Sequence, residues 1–207
     1  MRIGLYGGSF NPVHLGHVGI ARRAIADLGL DKLIVIPANV SPFKTATDAE
    51  ASRFWTWDRV EMVKAAFRDV EKTTVDLREI RDEFSASASD SNSSLQLYFI
   101  IGEDSVEGLP RWKDIEELKK LVSFKAYPRT PESSTAIREL FENAGVVLNQ
   151  DEKLVKAVRE GLVRKGGYCP CRLPKLPEFF CPCDEFKAQL ADPTYHGLCH
   201  CRLYLKP

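Results

Sequence analysis

The chain has 207 residues, with 29 basic and 29 acidic side chains and a formal net charge of zero. This length suits one large domain, or one domain with a small second one. The balanced charge argues against a nucleic-acid-binding protein, since such proteins usually carry a basic excess. No apolar run approaches the length of a membrane span, and no export signal precedes the first predicted strand, so a cytoplasmic protein is expected.

The first two thirds of the chain predict alternating strands and helices. Apolar runs predict strands over 3–6, 32–37, 70–77, 97–101 and 124–127, and helices are expected over 18–28, 58–67 and 136–143. This alternation is typical of an α/β fold with a Rossmann-like parallel sheet. Ligands of such sheets bind beyond the carboxyl ends of the strands.

A glycine-rich turn joins the first predicted strand to the first helix, with the sequence Gly7-Gly8-Ser9-Phe10-Asn11-Pro12-Val13-His14-Leu15-Gly16-His17. Gly7 and Gly8 allow the backbone to approach an anion closely, and the helix start directs N–H groups at a phosphate. His14 and His17 are two of the four histidines and lie three residues apart. Both imidazoles can therefore face one point and stabilise charge on a phosphoryl group in transfer.

Further candidate nucleotide contacts follow along the chain. Lys44 leaves the carboxyl end of the second strand, and Gly102, Asp104 and Trp112 follow the strand over 97–101, where an acid suits a ribose hydroxyl and an exposed ring can stack. The run Ser133-Ser134-Thr135-Ala136-Ile137-Arg138 opens a helix, which its hydroxyls can cap. The same geometry presents backbone N–H groups and a guanidinium to a triphosphate.

These motifs resemble those of the nicotinate or nicotinamide mononucleotide adenylyltransferases, within the nucleotidyltransferase superfamily. The resemblance implies that ATP, with Mg²⁺, and a pyridine mononucleotide give a dinucleotide and pyrophosphate, with His14 and His17 as catalytic residues. It implies nucleotide binding by Gly7, Gly8, Ser9, Phe10, Lys44, Gly102, Asp104, Trp112, Ser133, Thr135 and Arg138. The family has an additional helix and strand before the second motif, where this chain has only residues 128–132.

All six cysteines lie near the end of the chain, as Cys169-Pro170-Cys171, Cys181-Pro182-Cys183 and Cys199-His200-Cys201. This clustering indicates a compact metal or redox module attached to a cysteine-free domain. C-x-C pairs are unusual for structural zinc, and four thiolates can hold a cubane iron–sulfur cluster and leave two over. A structural cluster or zinc site with inert thiols remains an alternative.

The order C-P-C, C-P-C, C-H-C resembles the catalytic subunit of ferredoxin:thioredoxin reductase, although the intervals of nine and fifteen residues differ from that family. The resemblance implies that Cys169, Cys181, Cys183 and Cys199 ligate a 4Fe-4S cluster. It implies a redox-active disulfide between Cys171 and Cys201, with Cys171 as nucleophile and His200 moving a proton. A ferredoxin-like electron donor and a thioredoxin-like partner are the implied partners.

The two resemblances predict a nucleotidyltransferase-like domain over residues 1–148 and a small, mostly helical iron–sulfur domain over 149–207. The apolar spacing predicts a helix over 150–163, which Gly166-Gly167 ends. Three hypotheses follow. The first is a bifunctional enzyme. The second is an iron–sulfur reductase whose N-terminal domain only binds nucleotide, which the short 128–132 connection favours. The third is an adenylyltransferase with a structural metal site.

Overall fold

The computed structural model describes residues 1–38, 59–75, 95–128 and 130–207. Lys44 and the last two residues of the strand predicted over 70–77 lie outside these ranges. The described chain forms two compact units. The first contains Met1–Ser9 with the described parts of 16–41 and 70–131, and the second contains Phe10–Leu15 with the described parts of 42–69 and 132–207.

The first unit is built on a five-stranded parallel sheet with the order β3-β2-β1-β4-β5. The strands are β1 (Arg2–Gly8), β2 (Lys32–Pro37), β3 (Thr73–Val75), β4 (Gln96–Gly102) and β5 (Ser123–Tyr127). Helix α1 (Leu15–Leu28) connects β1 to β2, and helix α3 (Ile115–Leu121) precedes β5. The predicted α/β fold with a parallel sheet is therefore confirmed.

The centre of this sheet explains why its strands read as continuous apolar runs. Leu33, Ile34 and Val35 on β2 are all fully buried, as is typical of parallel strands covered on both faces. A Cβ atom on Gly4 of β1 would lie 2.6 Å from Leu30 Cδ1 and 2.9 Å from Leu33 Cδ1. Only glycine fits there, because the neighbouring side chains already fill the space.

The second unit contains, in its described residues, four α-helices and a small antiparallel sheet. The helices are α2 (Arg59–Phe67), α4 (Ser134–Asn143), α5 (Glu152–Arg164) and α6 (Asp184–Ala191). The strands β6 (Val147–Leu148), β7 (Gly197–Leu198) and β8 (Tyr204–Lys206) pair in the order β6-β8-β7. The sequence predicted the first three helices but not this sheet, because strands of two or three residues carry no readable periodicity.

Two helix starts in this unit have side-chain caps. Ser133 Oγ accepts a hydrogen bond from the Ala136 N–H at 3.3 Å at the start of α4, as its predicted capping role requires. Asp151 Oδ1 accepts from the N–H groups of Lys153 and Leu154 at 3.0 and 3.1 Å at the start of α5. None of the helices in the described ranges is both long and apolar enough to cross a bilayer.

Candidate functional site

In the first unit, predicted nucleotide contacts lie at the carboxyl ends of neighbouring strands. Gly7 and Gly8 end β1, and Gly102 ends β4 beside it. The N–H of Ala38, just beyond β2, donates to the carbonyl oxygen of Gly8 at 2.9 Å. A Cβ atom on Gly102 would lie 2.5 Å from Oδ1 of Asp104, so the Asp104 carboxylate lies directly against the end of β4. The sheet edge thus collects an acid and small residues where parallel sheets bind ligands.

The charge of Asp104 reaches the sheet itself. Burial, with a smaller contribution from the Asp104 carboxylate, raises the pKa of the Tyr6 hydroxyl far above its usual range. Asp104 itself is exposed. A carboxylate exposed at the strand ends is available to accept hydrogen bonds from a sugar hydroxyl.

Trp112 has a packing role within the first unit. Its half-buried ring meets Phe99 edge-on at a centroid distance of 5.4 Å and Phe124 at 6.2 Å. Edge-to-face pairs of this kind fix the orientation of a ring. Ser9, after β1, and His17, in the first turn of α1, are also half-buried. Helix α1 begins three residues earlier than predicted, which places His17 inside the helix.

In the second unit, Phe10 has its side chain in the core. It is 1% exposed, meets the Phe67 ring at 6.0 Å, and has φ of +44°, which is uncommon for a residue with a Cβ atom. Its packed ring holds the turn in this left-handed conformation. A nucleotide could therefore contact only the backbone of Phe10.

The same unit joins the two predicted phosphate motifs directly. Arg138 Nη1 donates to the backbone carbonyl of Asn11 at 2.5 Å, and Ser134 Oγ donates to that of Pro12 at 2.9 Å. Arg138 Nη2 also donates to Thr135 Oγ1 at 3.1 Å. The turn that leads to His14 is thus attached to the first turns of α4, although the two motifs are far apart in sequence.

His14 lines a small cavity that reaches Cys181 and Pro182, in the second of the three C-x-C pairs. The cavity has a volume of about 80 Å³, and its walls include His14, Ile137, Cys181, Pro182 and Lys187. A predicted catalytic histidine and a predicted cluster ligand therefore border one space within this unit.

The three C-x-C pairs converge on one apolar core, which we call the cysteine core: the five buried cysteines with Phe141, Phe186 and Tyr204. Five of the cysteines are buried and Cys171 is exposed. All six are free cysteines in this structure. Cys199 Sγ lies 3.6 Å from Cys201 Sγ, and Cys169 hydrogen-bonds with both Cys171 and Cys201. The sulfurs of the predicted redox pair, Cys171 and Cys201, therefore both lie beside Cys169.

Backbone hydrogen bonds set the spacing of these pairs. The N–H of Cys169 donates to the Phe179 carbonyl at 2.8 Å, and the N–H of Cys181 donates to the Gly167 carbonyl at 2.9 Å. Gly167 has φ of +87°, and a Cβ atom there would lie 2.8 Å from the Phe180 ring. The glycine that ends α5 thus also brings the first two pairs together.

The thiols have unequal acidity. Hydrogen bonding from Cys201 lowers the pKa of Cys169 to about 6 and that of Cys199 to about 7. The same hydrogen bonds raise the pKa of Cys201 far above its usual range. Burial raises the pKa of Cys181 and Cys183. Cys169 and Cys199 are therefore the thiols that most readily become thiolates, the form that binds metals. His200 is exposed, and its charge helps to lower the Cys169 pKa.

Thiolates in one buried core are the donor set of iron–sulfur clusters. The cavity among Cys169, Cys181, Cys183, Cys199 and Cys201 has a volume of about 10 Å³, enough for one water. Within the described ranges, no group of three or more His, Cys, Asp or Glu side chains is arranged around a single metal ion. The sulfurs match a cluster in donor type only, and they would have to move apart to bind one.

The sequence missed an aromatic layer around the cysteines. Phe141 meets Tyr204 edge-on at 5.2 Å and Phe186 at 5.8 Å, and the rings of Phe186 and Tyr204 stack at 5.8 Å. The Tyr204 N–H donates to Cys199 Sγ at 3.3 Å. The i, i+4 spacing between Ile137 and Phe141 on α4 could have predicted that Phe141 is buried. No such pattern marks Tyr204 on the short strand β8.

Comparison with known proteins gives consistent matches. The cytidylyltransferase-like family model matches residues 5–158, a range that ends before the first cysteine. A probable nicotinate-nucleotide adenylyltransferase of Aliarcobacter butzleri is 37% identical over 67% of this chain and 78% of its own length. One from Shouchella clausii is 35% identical over 75% and 82%. The structure of Plasmodium falciparum nicotinic acid mononucleotide adenylyltransferase covers 68% of this chain and 83% of its own, with 15% identity and a TM-score of 0.42.

Proposed function

The chain belongs to the cytidylyltransferase-like family, and on that premise we propose that residues 1–148 form an adenylyltransferase domain. Its substrates are ATP and a pyridine mononucleotide, with nicotinate mononucleotide as the first choice because curated relatives carry that activity in their names. The observation that carries the proposal is the attachment of the Asn11–Pro12 turn to Ser134 and Arg138. It joins two separate phosphate motifs within one unit.

The proposed reaction needs no protein nucleophile. A phosphate oxygen of the mononucleotide attacks the α-phosphorus of ATP, the bond to the bridging β-oxygen breaks, and pyrophosphate leaves. His14 and His17 stabilise charge on the transferred group, and Mg²⁺ bound with ATP neutralises the phosphates. We propose that Lys44 contacts the phosphates in the same step.

The remaining proposed contacts hold the nucleotides. Backbone N–H groups of Gly7, Gly8, Ser9 and Phe10 face a phosphate, as close approach at a glycine turn allows. Ser133, Thr135 and Arg138 bind the triphosphate at the start of α4. The proposed ribose and base contacts are Gly102, Asp104 and Trp112.

The test is dinucleotide synthesis by the full chain. With MgATP and nicotinate mononucleotide, we expect equal amounts of the dinucleotide and pyrophosphate. Nicotinamide mononucleotide as second substrate gives the specificity, and CTP in place of ATP gives the nucleotide preference. MgATP binding without product formation from either mononucleotide would contradict the transferase and support a nucleotide-binding domain instead.

We propose a second function for residues 149–207: reduction of a disulfide in a thioredoxin-like partner. The observation that favours it is the burial of five cysteines around the exposed Cys171. Four thiolates, of Cys169, Cys181, Cys183 and Cys199, would hold a 4Fe-4S cluster. When bound, the cluster supplies one-electron chemistry that a dithiol lacks.

In this proposal, the thiols of Cys171 and Cys201 carry out the thiol–disulfide exchange. The Cys171 thiolate attacks a partner sulfur, forming a mixed disulfide and releasing one partner thiolate. Cys201 then attacks Cys171, forming the Cys171–Cys201 disulfide and releasing the second partner thiolate, with His200 moving a proton. Two single electrons from a ferredoxin-like donor restore the dithiol.

Metal analysis separates the alternatives. Anaerobic purification followed by iron and acid-labile sulfide quantitation should give iron and sulfide in equal amounts. Zinc without sulfide would support a structural metal site, and would remove the reductase. A Cys171→Ser variant that still reduces thioredoxin would contradict the choice of nucleophile.

A further inference from the structure

Helix α4 lies between the phosphate-binding turn and the cysteine core. Its first turns hold the turn before His14 through Ser134 and Arg138. On the same helix, Ile137 and Phe141 are buried in the core that contains the cysteines. One rigid helix therefore contacts both sites within the second unit.

One contact from α4 to the cysteines runs through Tyr204. Phe141 meets Tyr204 edge-on at 5.2 Å, and the Tyr204 N–H donates to Cys199 Sγ at 3.3 Å. Phe141 also meets Phe186 at 5.8 Å. Cys199 is thus linked to Phe141 through the backbone and the ring of Tyr204.

The cysteine core has almost no free space. Its cavity of about 10 Å³ holds one water-sized group. Because protein interiors are close-packed, any larger group bound by these sulfurs displaces the surrounding side chains. The aromatic layer of Phe141, Phe186 and Tyr204 is the wall that such a group would move.

A second contact lies at Ile137, one turn before Phe141 on the same face of α4. His14 shares its cavity of about 80 Å³ with Cys181 and Pro182. Ile137 of α4 also lines this cavity, so the helix and the histidine face the same cysteine pair.

We propose that α4 couples the cysteine core to the turn before His14, so that nucleotide binding and the packing of the thiols change each other's free energy. The inference rests on the proposed binding of ATP to this turn. Coupling of this kind is reciprocal: if rearranging the thiols weakens ATP binding, bound ATP must oppose that rearrangement by the same factor. The effect of bound ATP on the thiols can be measured without any metal.

The experiment follows the reaction of the buried thiols with Ellman's reagent in the reduced, metal-free full chain. Cys171 is exposed and should react first, which gives an internal reference. We expect saturating MgATP to slow the five buried thiols about five-fold or more, which is the lower end of typical allosteric coupling. The variant Phe141→Leu should reduce this protection to less than about two-fold.

The variants separate coupling from general stabilisation. A ligand that binds only the folded protein slows every reaction that requires global unfolding, and at equal saturation it does so equally in both variants. Val158→Ala, in the same core but on α5, loses comparable packing and should keep the protection of the natural sequence. Calorimetry supplies the MgATP affinity of each protein.

Two results would overturn the inference. Equal protection factors in the natural sequence and Phe141→Leu, with MgATP bound to both, would show that α4 does not couple the sites and would leave the transferase intact. A chain that binds no MgATP by calorimetry would remove the proposed function and this inference with it.

Discussion

Arg138 Nη1 donates to the backbone carbonyl oxygen of Asn11 at 2.5 Å across 127 positions of sequence. The same guanidinium reaches Thr135 Oγ1 from Nη2 at 3.1 Å. A planar fork can make both bonds in fixed directions, which a lysine cannot. Arg138 therefore holds the shape of the turn that leads to His14, in addition to its proposed contact with ATP.

Arg138→Lys should lower dinucleotide synthesis even though it keeps the positive charge. Loss of a charge-assisted hydrogen bond costs about 1.5–3 kcal/mol, or roughly 10- to 100-fold in kcat/KM. Initial rates of pyrophosphate release measure the effect. Arg22→Lys, at an exposed position on α1, is the matched control and should keep the natural rate. Equal rates for both variants would show that charge alone matters at Arg138.

Lys206 should stabilise the fold of residues 149–207, because it donates hydrogen bonds to backbone carbonyls at the end of α6. It is 7% exposed, and its Nζ donates to the carbonyl oxygens of Leu190 at 3.1 Å and Asp192 at 2.5 Å. Lys206→Met keeps the length of the side chain and leaves both carbonyls without this donor. We expect a loss of about 1–3 kcal/mol in the free energy of unfolding by urea. Lys125→Met, on exposed β5, should change it by less than about 0.5 kcal/mol.

Asp151 should contribute as the cap of α5. Its Oδ1 accepts from two N–H groups that the helix itself cannot satisfy. Asp151→Ala should cost about 1 kcal/mol of unfolding free energy, whereas Asp151→Asn, which keeps an acceptor oxygen, should cost only a small part of that. Equal losses in the two variants would indicate that the charge, rather than the cap, is responsible.

The thiols should make stability depend on pH in the metal-free protein. Hydrogen bonding from Cys201 lowers the folded-state pKa of Cys169 to about 6, so its stabilising contribution is complete above the unfolded pKa of about 8.5 and is lost as the pH falls toward 6. Burial raises the pKa of Cys181 and Cys183, and their contribution is lost as the pH rises above about 8.5.

The free energy of unfolding should therefore rise from pH 6 and fall beyond about 8.5. Urea denaturation across this range, under reducing conditions, measures the curve. Cys201→Ala removes the thiol that donates to Cys169, so the rising part should flatten in that variant. A rise of unchanged size in Cys201→Ala would refute the assignment of the donor.

Sequence reasoning succeeded where one element carries a strong local pattern. The apolar run of β2 gave its bounds as Lys32–Pro37, and the glycine pair at 166–167 gave the end of α5. Ser133 was expected to cap α4 and does so. Each of these features depends on neighbouring residues in the chain, which is why it can be read without the structure.

Contacts between distant segments could not be predicted in the same way. The packing of Phe10 on Phe67 turns a motif residue into a core residue, and nothing in either local sequence indicates it. The aromatic layer next to Cys199 joins residues from α4, α6 and β8. Of these elements, the strand β8 is too short to show a periodicity in the sequence. The hydrogen bond from Arg138 to Asn11 joins segments that come together only in the folded second unit, so the sequence could not predict it.

The most direct test of the transferase compares histidine variants in dinucleotide synthesis. His14→Asn and His17→Asn should each lower the rate by about 100-fold or more, because each removes a group that stabilises charge in the transition state. His196→Asn, in the cysteine module, is the matched control and should keep the natural rate. Natural rates in His14→Asn and His17→Asn, with correct folding shown by their melting curves, would contradict the account.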